Sequence, residues 1–473
     1  MFISRIKGAV LMTALLCMVT TGCRYTAAPA DLLTKPVVAT DKQALINAVN
    51  FALPIYSRLT LPLREDNLGA VRKVDLNGDG VEEAIVSYYN EYSAPEVMMF
   101  RLNSGTWKPW LLVQQPMARQ IDWIKLEDFD QDGQIELAIG WIGSYESSNI
   151  LEIYSFQTKP FRNDNDKLVL EPISSIPYIY SESGDINGDG KLEIAVIAAD
   201  GTNQAIQTYN YQLGLYDLHK GELRNLQELD LYNGVNLYDR LIIGRVSPRH
   251  TGIIVEASTG AHAMYSAMYA WENGKLRLIY PIPKKGSEDD VEITTTSTLA
   301  EDSNKDGILE LMIPKETYSY EELPYSEMLF TRVMLQWDGK KDFQVVNETY
   351  SDYTYRFDFT IPEQWKNQYS LRLPEENIEN GAVTFEYRNE ETGSRAEFAT
   401  LFAIPIKEWE GIESDWKTQS KSYQTITKGG GLLYVISFVQ EPPANMLPSD
   451  QEKFRLMKLT DHELEQLFHL IKD

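Results

Sequence analysis

Cysteine is nearly absent from this 473-residue chain: the only two, Cys17 and Cys23, fall within its first 23 residues. No disulfide framework can staple the remainder, which must be held by its core, by bound cations, or by both. Histidine is almost as scarce, with five in all, and that argues against a His-rich catalytic metal centre. Basic residues are outnumbered, 44 Lys and Arg against 69 Asp and Glu, for a formal charge of -25. That balance argues against nucleic acid as a partner, because phosphates demand a basic surface. After the amino-terminal region no apolar run is long enough to cross a bilayer. A Gly-x-Ser-x-Gly elbow and a phosphate loop are missing too; Gly429-Gly-Gly431 precedes a strand-like run and reads as a turn. His462-Glu463 lacks the second His that a zinc protease places three residues after the Glu, so Thr460-Asp-His-Glu463 reads as a helix-capping box.

What the amino end does hold is an address. Arg5 and Lys7 precede the apolar run Gly8 to Val19, small residues follow at Thr20, Thr21 and Gly22, and Cys23 comes next. The ending Val-Thr-Thr-Gly-Cys resembles the lipobox of bacterial lipoproteins, with Thr20 where Leu is most common. The resemblance implies a signal peptide over 1–22, lipidation of Cys23, a tether over 23–40, and an exported chain lipid-anchored to the outer face of the bacterial cell membrane.

The dominant feature is an internal repeat. Four segments align without gaps: Asp75-Leu-Asn-Gly-Asp-Gly-Val-Glu-Glu83, Asp128-Phe-Asp-Gln-Asp-Gly-Gln-Ile-Glu136, Asp185-Ile-Asn-Gly-Asp-Gly-Lys-Leu-Glu193 and Asp302-Ser-Asn-Lys-Asp-Gly-Ile-Leu-Glu310. Each runs into an apolar strand. The first three begin 53 and 57 residues apart and the fourth 117 residues later, about two periods, so a degenerate copy is expected between them. Ile242-Ile-Gly-Arg-Val246 and Ile253-Ile-Val255 supply its two strands; no carboxylate falls at its ligand positions, so it should bind no calcium. Strand pairs turning at Asn103-Ser-Gly105, Gly221, Asn273-Gly274 and Asp338-Gly339 complete the period. Four antiparallel strands per repeat is what a propeller blade requires.

Alternate positions one, three and five of the loop offer side-chain oxygens, the Gly at six permits a sharp bend, a carbonyl at seven can add a ligand, and the Glu at nine closes the set. Calcium, which takes six to eight flexible oxygen ligands, suits this better than magnesium. An EF-hand is excluded: its twelfth position must be Glu, whereas Val86, Ile139, Val196 and Ile313 stand there in strand-like runs. Over residues 65–350 the loops resemble the FG-GAP/VCBS, integrin-α-like propeller repeats, with Glu at position nine where that family often has Asp and without its Phe-Gly and Gly-Ala-Pro signature. The resemblance implies about four structural Ca2+ sites. The ligands would be Asp75, Asn77, Asp79, Val81 and Glu83; Asp128, Asp130, Asp132, Gln134 and Glu136; Asp185, Asn187, Asp189, Lys191 and Glu193; and Asp302, Asn304, Asp306, Ile308 and Glu310.

The fold expected is therefore mainly β: a β-propeller-like repeat domain over 41–351, with about five detectable four-stranded units and up to seven possible, followed by a small α+β domain over 352–473. A short helix is expected at 41–50 and another from Asp461, with Leu464, Leu467, Phe468 and Ile471 at helical spacing. Trp141, Tyr145, Tyr265 and Tyr269 read more readily as blade core than as a ligand surface. The function expected is a cell-surface binding or scaffold module for a protein or glycan, attached to the membrane by its lipid. The alternative is an extracellular polysaccharide-processing enzyme on a propeller scaffold. A solute-binding lipoprotein would need alternating α/β lobes instead.

Overall fold

The computed structural model describes residues 40–471 apart from 65–68, 145–146, 201–209, 261–262, 282–298, 318–327 and 376–377. The signal, Cys23 and the tether lie outside the described residues, as does Tyr145.

The chain is mainly β, laid down as successive antiparallel sheets. The first is built on Val71–Val74, Glu83–Tyr89, Pro95–Asn103 and Thr106–Gln114. The second uses Ala118–Glu127, Glu136–Gly143, Asn149–Ser155 and Ser174–Tyr178; the third, Tyr180–Gly184, Glu193–Asp200, Asn210–His219 and Glu222–Asp230. The fourth uses Leu237–Ser247, His250–Gly260, Ala263–Glu272 and Lys275–Tyr280. In the fifth, a single bridge between Glu301 and Glu310 stands in place of the first strand, followed by Leu311–Glu316, Phe330–Trp337, Phe343–Asp352 and Phe357–Thr360. This is a propeller-like order, one sheet per repeat.

Second strands carry apolar residues on both faces because both faces are covered. Alternate side chains point to opposite faces. In Glu83–Tyr89, Ala84, Val86 and Tyr88 pack with Leu45 and Val49, while Ile85 faces Ile121 and Ile139 of the second sheet. Leu45 and Val49, one helical turn apart, belong to the helix Thr40–Ala52, which takes the face of the first sheet where another blade would pack. Further cores join second to third, third to fourth, and fourth to fifth sheets. Trp141, Tyr265 and Tyr269 are buried within these layers.

The hairpins turn on two consecutive left-handed residues, the second always Gly: Ser104 and Gly105, Lys220 and Gly221, and Asn273 and Gly274. One connection departs from the repeat. Between the third and fourth strands of the second sheet, Phe161–Arg162 and Leu168–Val169 leave it and extend the first sheet, Val169 pairing in parallel with Leu112.

After residue 352 the sheets do not stop. Phe357–Thr360 pairs with Phe343–Asp352, and a sixth sheet of five strands follows, with Gly381–Asn389, Ser394–Pro405 and Leu432–Phe438 at its centre. Trp365, Phe385 and Phe398 form its core, and helices Trp409–Thr418, Pro448–Leu456 and Asp461–Leu467 pack around it. Thr460 and Glu463 make the reciprocal capping box. The helical spacing of Phe468 and Ile471 is misleading: the helix stops at Leu467, and Phe468–Leu470 pairs with Phe357–Phe359 as a strand, where Phe468 stacks on Phe357.

Candidate metal centres

Each of the four acidic loops joins the first strand of its sheet, or the bridge that replaces it, to the second. In all four, the carboxylate at position one accepts the N–H of the Gly at position six: Gly80 to Asp75 at 2.8 Å, Gly133 to Asp128 at 2.9 Å, Gly190 to Asp185 at 3.1 Å and Gly307 to Asp302 at 2.9 Å. These glycines have φ between +82° and +89°, and position four is also left-handed in every copy, as Gly78, Gln131, Gly188 or Lys305. Asp79, Asp132, Asp189 and Asp306 each accept the N–H of position seven, from Val81, Gln134, Lys191 and Ile308. Position three, Asn77, Asp130, Asn187 or Asn304, accepts the N–H of position five. The bend thus turns three side chains inward.

The Glu at position nine reaches back across the loop to the N–H of position two, at 2.9 Å for Leu76, 3.1 Å for Phe129, 2.8 Å for Ile186 and 2.7 Å for Ser303. The extra methylene of Glu over Asp gives it this reach. All four glutamates are buried, Glu310 completely. Burial pushes each carboxyl above its ordinary range; for Glu136 the Phe129 N–H opposes this, Asp130, Asp132 and Asp128 add to it, and the result is about 7. A buried carboxylate among other carboxylates is unfavourable until a cation joins it.

In the second loop, ligand oxygens of Asp128, Asp130 and Glu136 lie within 4.8 Å of one another, and so do those of Asp302, Asp306 and Glu310 in the fourth. In the first and third, the Asn77 and Asn187 amides donate to Glu83 at 3.2 Å and Glu193 at 2.6 Å. Position two carries part of the design that the ligand pattern alone does not reveal: Leu76, Phe129 and Ile186 are buried and anchor the loop to the core. Its signal was an apolar residue in one register in three copies. Gln336, which donates to Asp306 at 2.7 Å and Glu310 at 3.0 Å, leaves no local signal because it comes from the neighbouring strand.

The loops touch one another. Gln131 Nε2 donates to the Gly190 carbonyl at 2.9 Å, tying the second loop to the third. Thr251 of the fourth sheet donates to the Ile186 carbonyl, and the Leu309 N–H donates to the Arg245 carbonyl at 2.7 Å. The fourth sheet itself has no loop. Ser247 pairs with His250 across only Pro248 and Arg249, and the Ser247 hydroxyl accepts the N–H groups of Arg249 and His250. The two strands expected at Ile242–Val246 and Ile253–Val255 are present within Leu237–Ser247 and His250–Gly260, but a two-residue turn joins them where a loop stripped of ligands was expected.

Toward the other end of the strands lies a cavity of about 620 Å3 between the second, third and fourth sheets, lined in part by Asp122, Tyr180 and Asp239. Arg64 fills one side of it, in a two-pronged pair with Asp122 at 2.9 and 2.7 Å, with its Nη1 on the Ser181 carbonyl at 2.8 Å and its plane over Tyr180. Tyr178 donates to the same Asp122 at 2.8 Å. The mutual satisfaction of these groups makes Arg64 a clamp across two sheets.

No protein-family model matches the chain, and comparison with curated proteins gives no match. Among solved structures it is similar to a hypothetical selenium-binding protein from Sulfolobus tokodaii, at 9% identity over 67% of this chain and 75% of that one, with a TM-score of 0.29. It is also similar to a rhamnogalacturonan lyase from Bacillus licheniformis, at 12% identity over 69% and 89%, TM-score 0.27. The Dos1 propeller is similar at 12% identity over 75% and 74%, TM-score 0.30. At these values the description of the fold rests on the sheets themselves.

Proposed function

We propose that this chain is an exported lipoprotein, anchored through Cys23, whose FG-GAP/VCBS-type repeats bind calcium and stiffen a propeller-like module for binding or scaffolding a protein or glycan. The observation that carries this reading is one hydrogen-bond pattern repeated four times around a buried glutamate. In the second loop Asp128, Asp130, Asp132, Glu136 and the carbonyl of Gln134 would hold the ion, with the equivalent residues in the other three. Bound calcium would supply the positive charge that the buried carboxylates call for. One site in the same place in each of four repeats, and not several converging on a cleft, favours a structural role for the metal.

Thermal unfolding in calcium against excess chelator tests the metal, and an unchanged midpoint would discard it. Mass spectrometry of the amino-terminal peptide tests the anchor, which requires a diacylglycerol on Cys23. Arrays of glycans and surface proteins, probed with the calcium-loaded chain, test the binding role; turnover of an arrayed polysaccharide would replace it with the enzymatic one.

A further inference from the structure

With the expected signal peptide 1–22 removed, five basic residues, Arg24, Lys35, Lys42, Arg58 and Arg64, stand against two acidic ones, Asp31 and Asp41, in residues 23–64, which gives that stretch +3 and leaves -30 on the remainder. The described part of this basic stretch exposes large apolar side chains in close succession. Phe51, at the end of the helix Thr40–Ala52, is 94% exposed, Ile55 78% and Tyr56 90%, and Leu59 is exposed as well. Pairing of Arg58 with Tyr89 puts Tyr56 at the end of the first sheet where the turn 90–94 carries Tyr92, itself 84% exposed. Arg58 lies over the Tyr89 ring, and Lys42 is exposed on the helix. The acidic loop Asp75–Glu83 enters the same strand, Glu83–Tyr89, at its opposite end.

We infer that this tip, formed by Phe51, Ile55, Tyr56, Leu59 and Tyr92, is a membrane-surface contact that seats the first sheet on an anionic lipid headgroup layer. Aromatic and aliphatic side chains flanked by Lys and Arg are the composition that partitions into the interfacial zone. At the tip itself Lys42 and Arg58 stand against the exposed Glu91 of the turn, while the acidic loop Asp75–Glu83 lies at the far end of the strand, so the end that carries the apolar side chains is the one that faces anionic lipid. No helix among the described residues is long and apolar enough to cross a membrane, so the contact lies at the surface. The inference rests in part on the lipid-anchor reading, since the 16 residues between Cys23 and the helix span at most about 55 Å and keep the tip near the bilayer.

The test uses the mature chain from residue 23 onward with Cys23→Ser, labelled with a polarity-sensitive dye at a single new cysteine, Phe51→Cys, Tyr56→Cys or, as the control on the acidic rim, Lys305→Cys. Vesicles of phosphatidylcholine with 30% phosphatidylglycerol are added with calcium present. A blue shift at 51 and 56 with none at 305, lost when Arg58→Ala and Lys42→Ala are added, is the expected result. No shift at 51 and 56, or an equal shift at 305, overturns the inference. A shift at 51 and 56 that follows protein concentration without vesicles also overturns it, in favour of a second copy of the chain as the occupant. A Cys23 found without lipid while 51 and 56 still shift would dismiss the anchor and leave this contact standing.

Discussion

The fourth sheet and its neighbours close the same junction in two ways. In the fourth, Pro248 and Arg249 suffice, and Ser247 satisfies the turn's N–H groups with a neutral hydroxyl. In the first, second, third and fifth, nine residues form a bend whose every inward group is a carboxylate or an amide. The sheet itself therefore does not need the loop. A junction that two residues can make is lengthened four times around a buried glutamate, and it is this contrast that the calcium proposal is meant to explain.

The largest expected effect separates the two kinds of junction by metal. At a hundredfold excess over its Kd, each calcium stabilises by about 2.7 kcal/mol. Excess chelator should then lower the melting midpoint by more than about 10 °C, and magnesium at equal concentration should not restore it. Next comes a single loop. Glu136→Gln keeps an acceptor for the Phe129 N–H but removes a ligand charge, so titration calorimetry should count one calcium fewer. The same variant should melt lower than the parent in calcium and higher in chelator, because it also removes repulsion from Asp128, Asp130 and Asp132. Equal shifts of one sign in both buffers would break the comparison.

Gly133→Ala forces a side chain to φ +89° and should cost about 1–2 kcal/mol in calcium, read as a shift of a few degrees. A weaker signature is in pH. With Glu136 raised from 4.5 to about 7, the calcium-free fold binds more protons than the unfolded chain between those values. Its stability should therefore fall as pH rises from about 4.5 to 7, a slope that saturating calcium removes. The smallest effect is expected in the fourth sheet: Arg249→Ala, exposed in its turn, should change neither calcium stoichiometry nor midpoint beyond about 0.5 kcal/mol.

The repeat was legible because its information is local. Asp, Asn and Gly at fixed offsets dictate a bend whatever surrounds them, and apolar runs after Glu83, Glu136, Glu193 and Glu310 announce second strands. The fourth junction was less so: a period implies a loop at 246–249, yet only the Ser247–His250 register reveals a two-residue turn. The Arg64 clamp was invisible, since Asp122 and Ser181 are 58 and 117 residues away and meet it only through sheet packing. At 464–471 the spacing fitted a helix, but backbone pairing with Phe357–Phe359 outweighed it from Phe468 onward. Helix Trp409–Thr418 was missed because it interrupts two strands with a largely polar sequence, Trp416 being its one buried residue.

The two short strands at Phe161–Arg162 and Leu168–Val169 have a consequence for where the chain can be cut. They are encoded within the second repeat yet complete the edge of the first sheet. A chain that lacks Val169 cannot seal that edge. The first two repeats therefore complete one another, and a chain cut before that point would leave the Thr106–Gln114 edge open to any strand that passes.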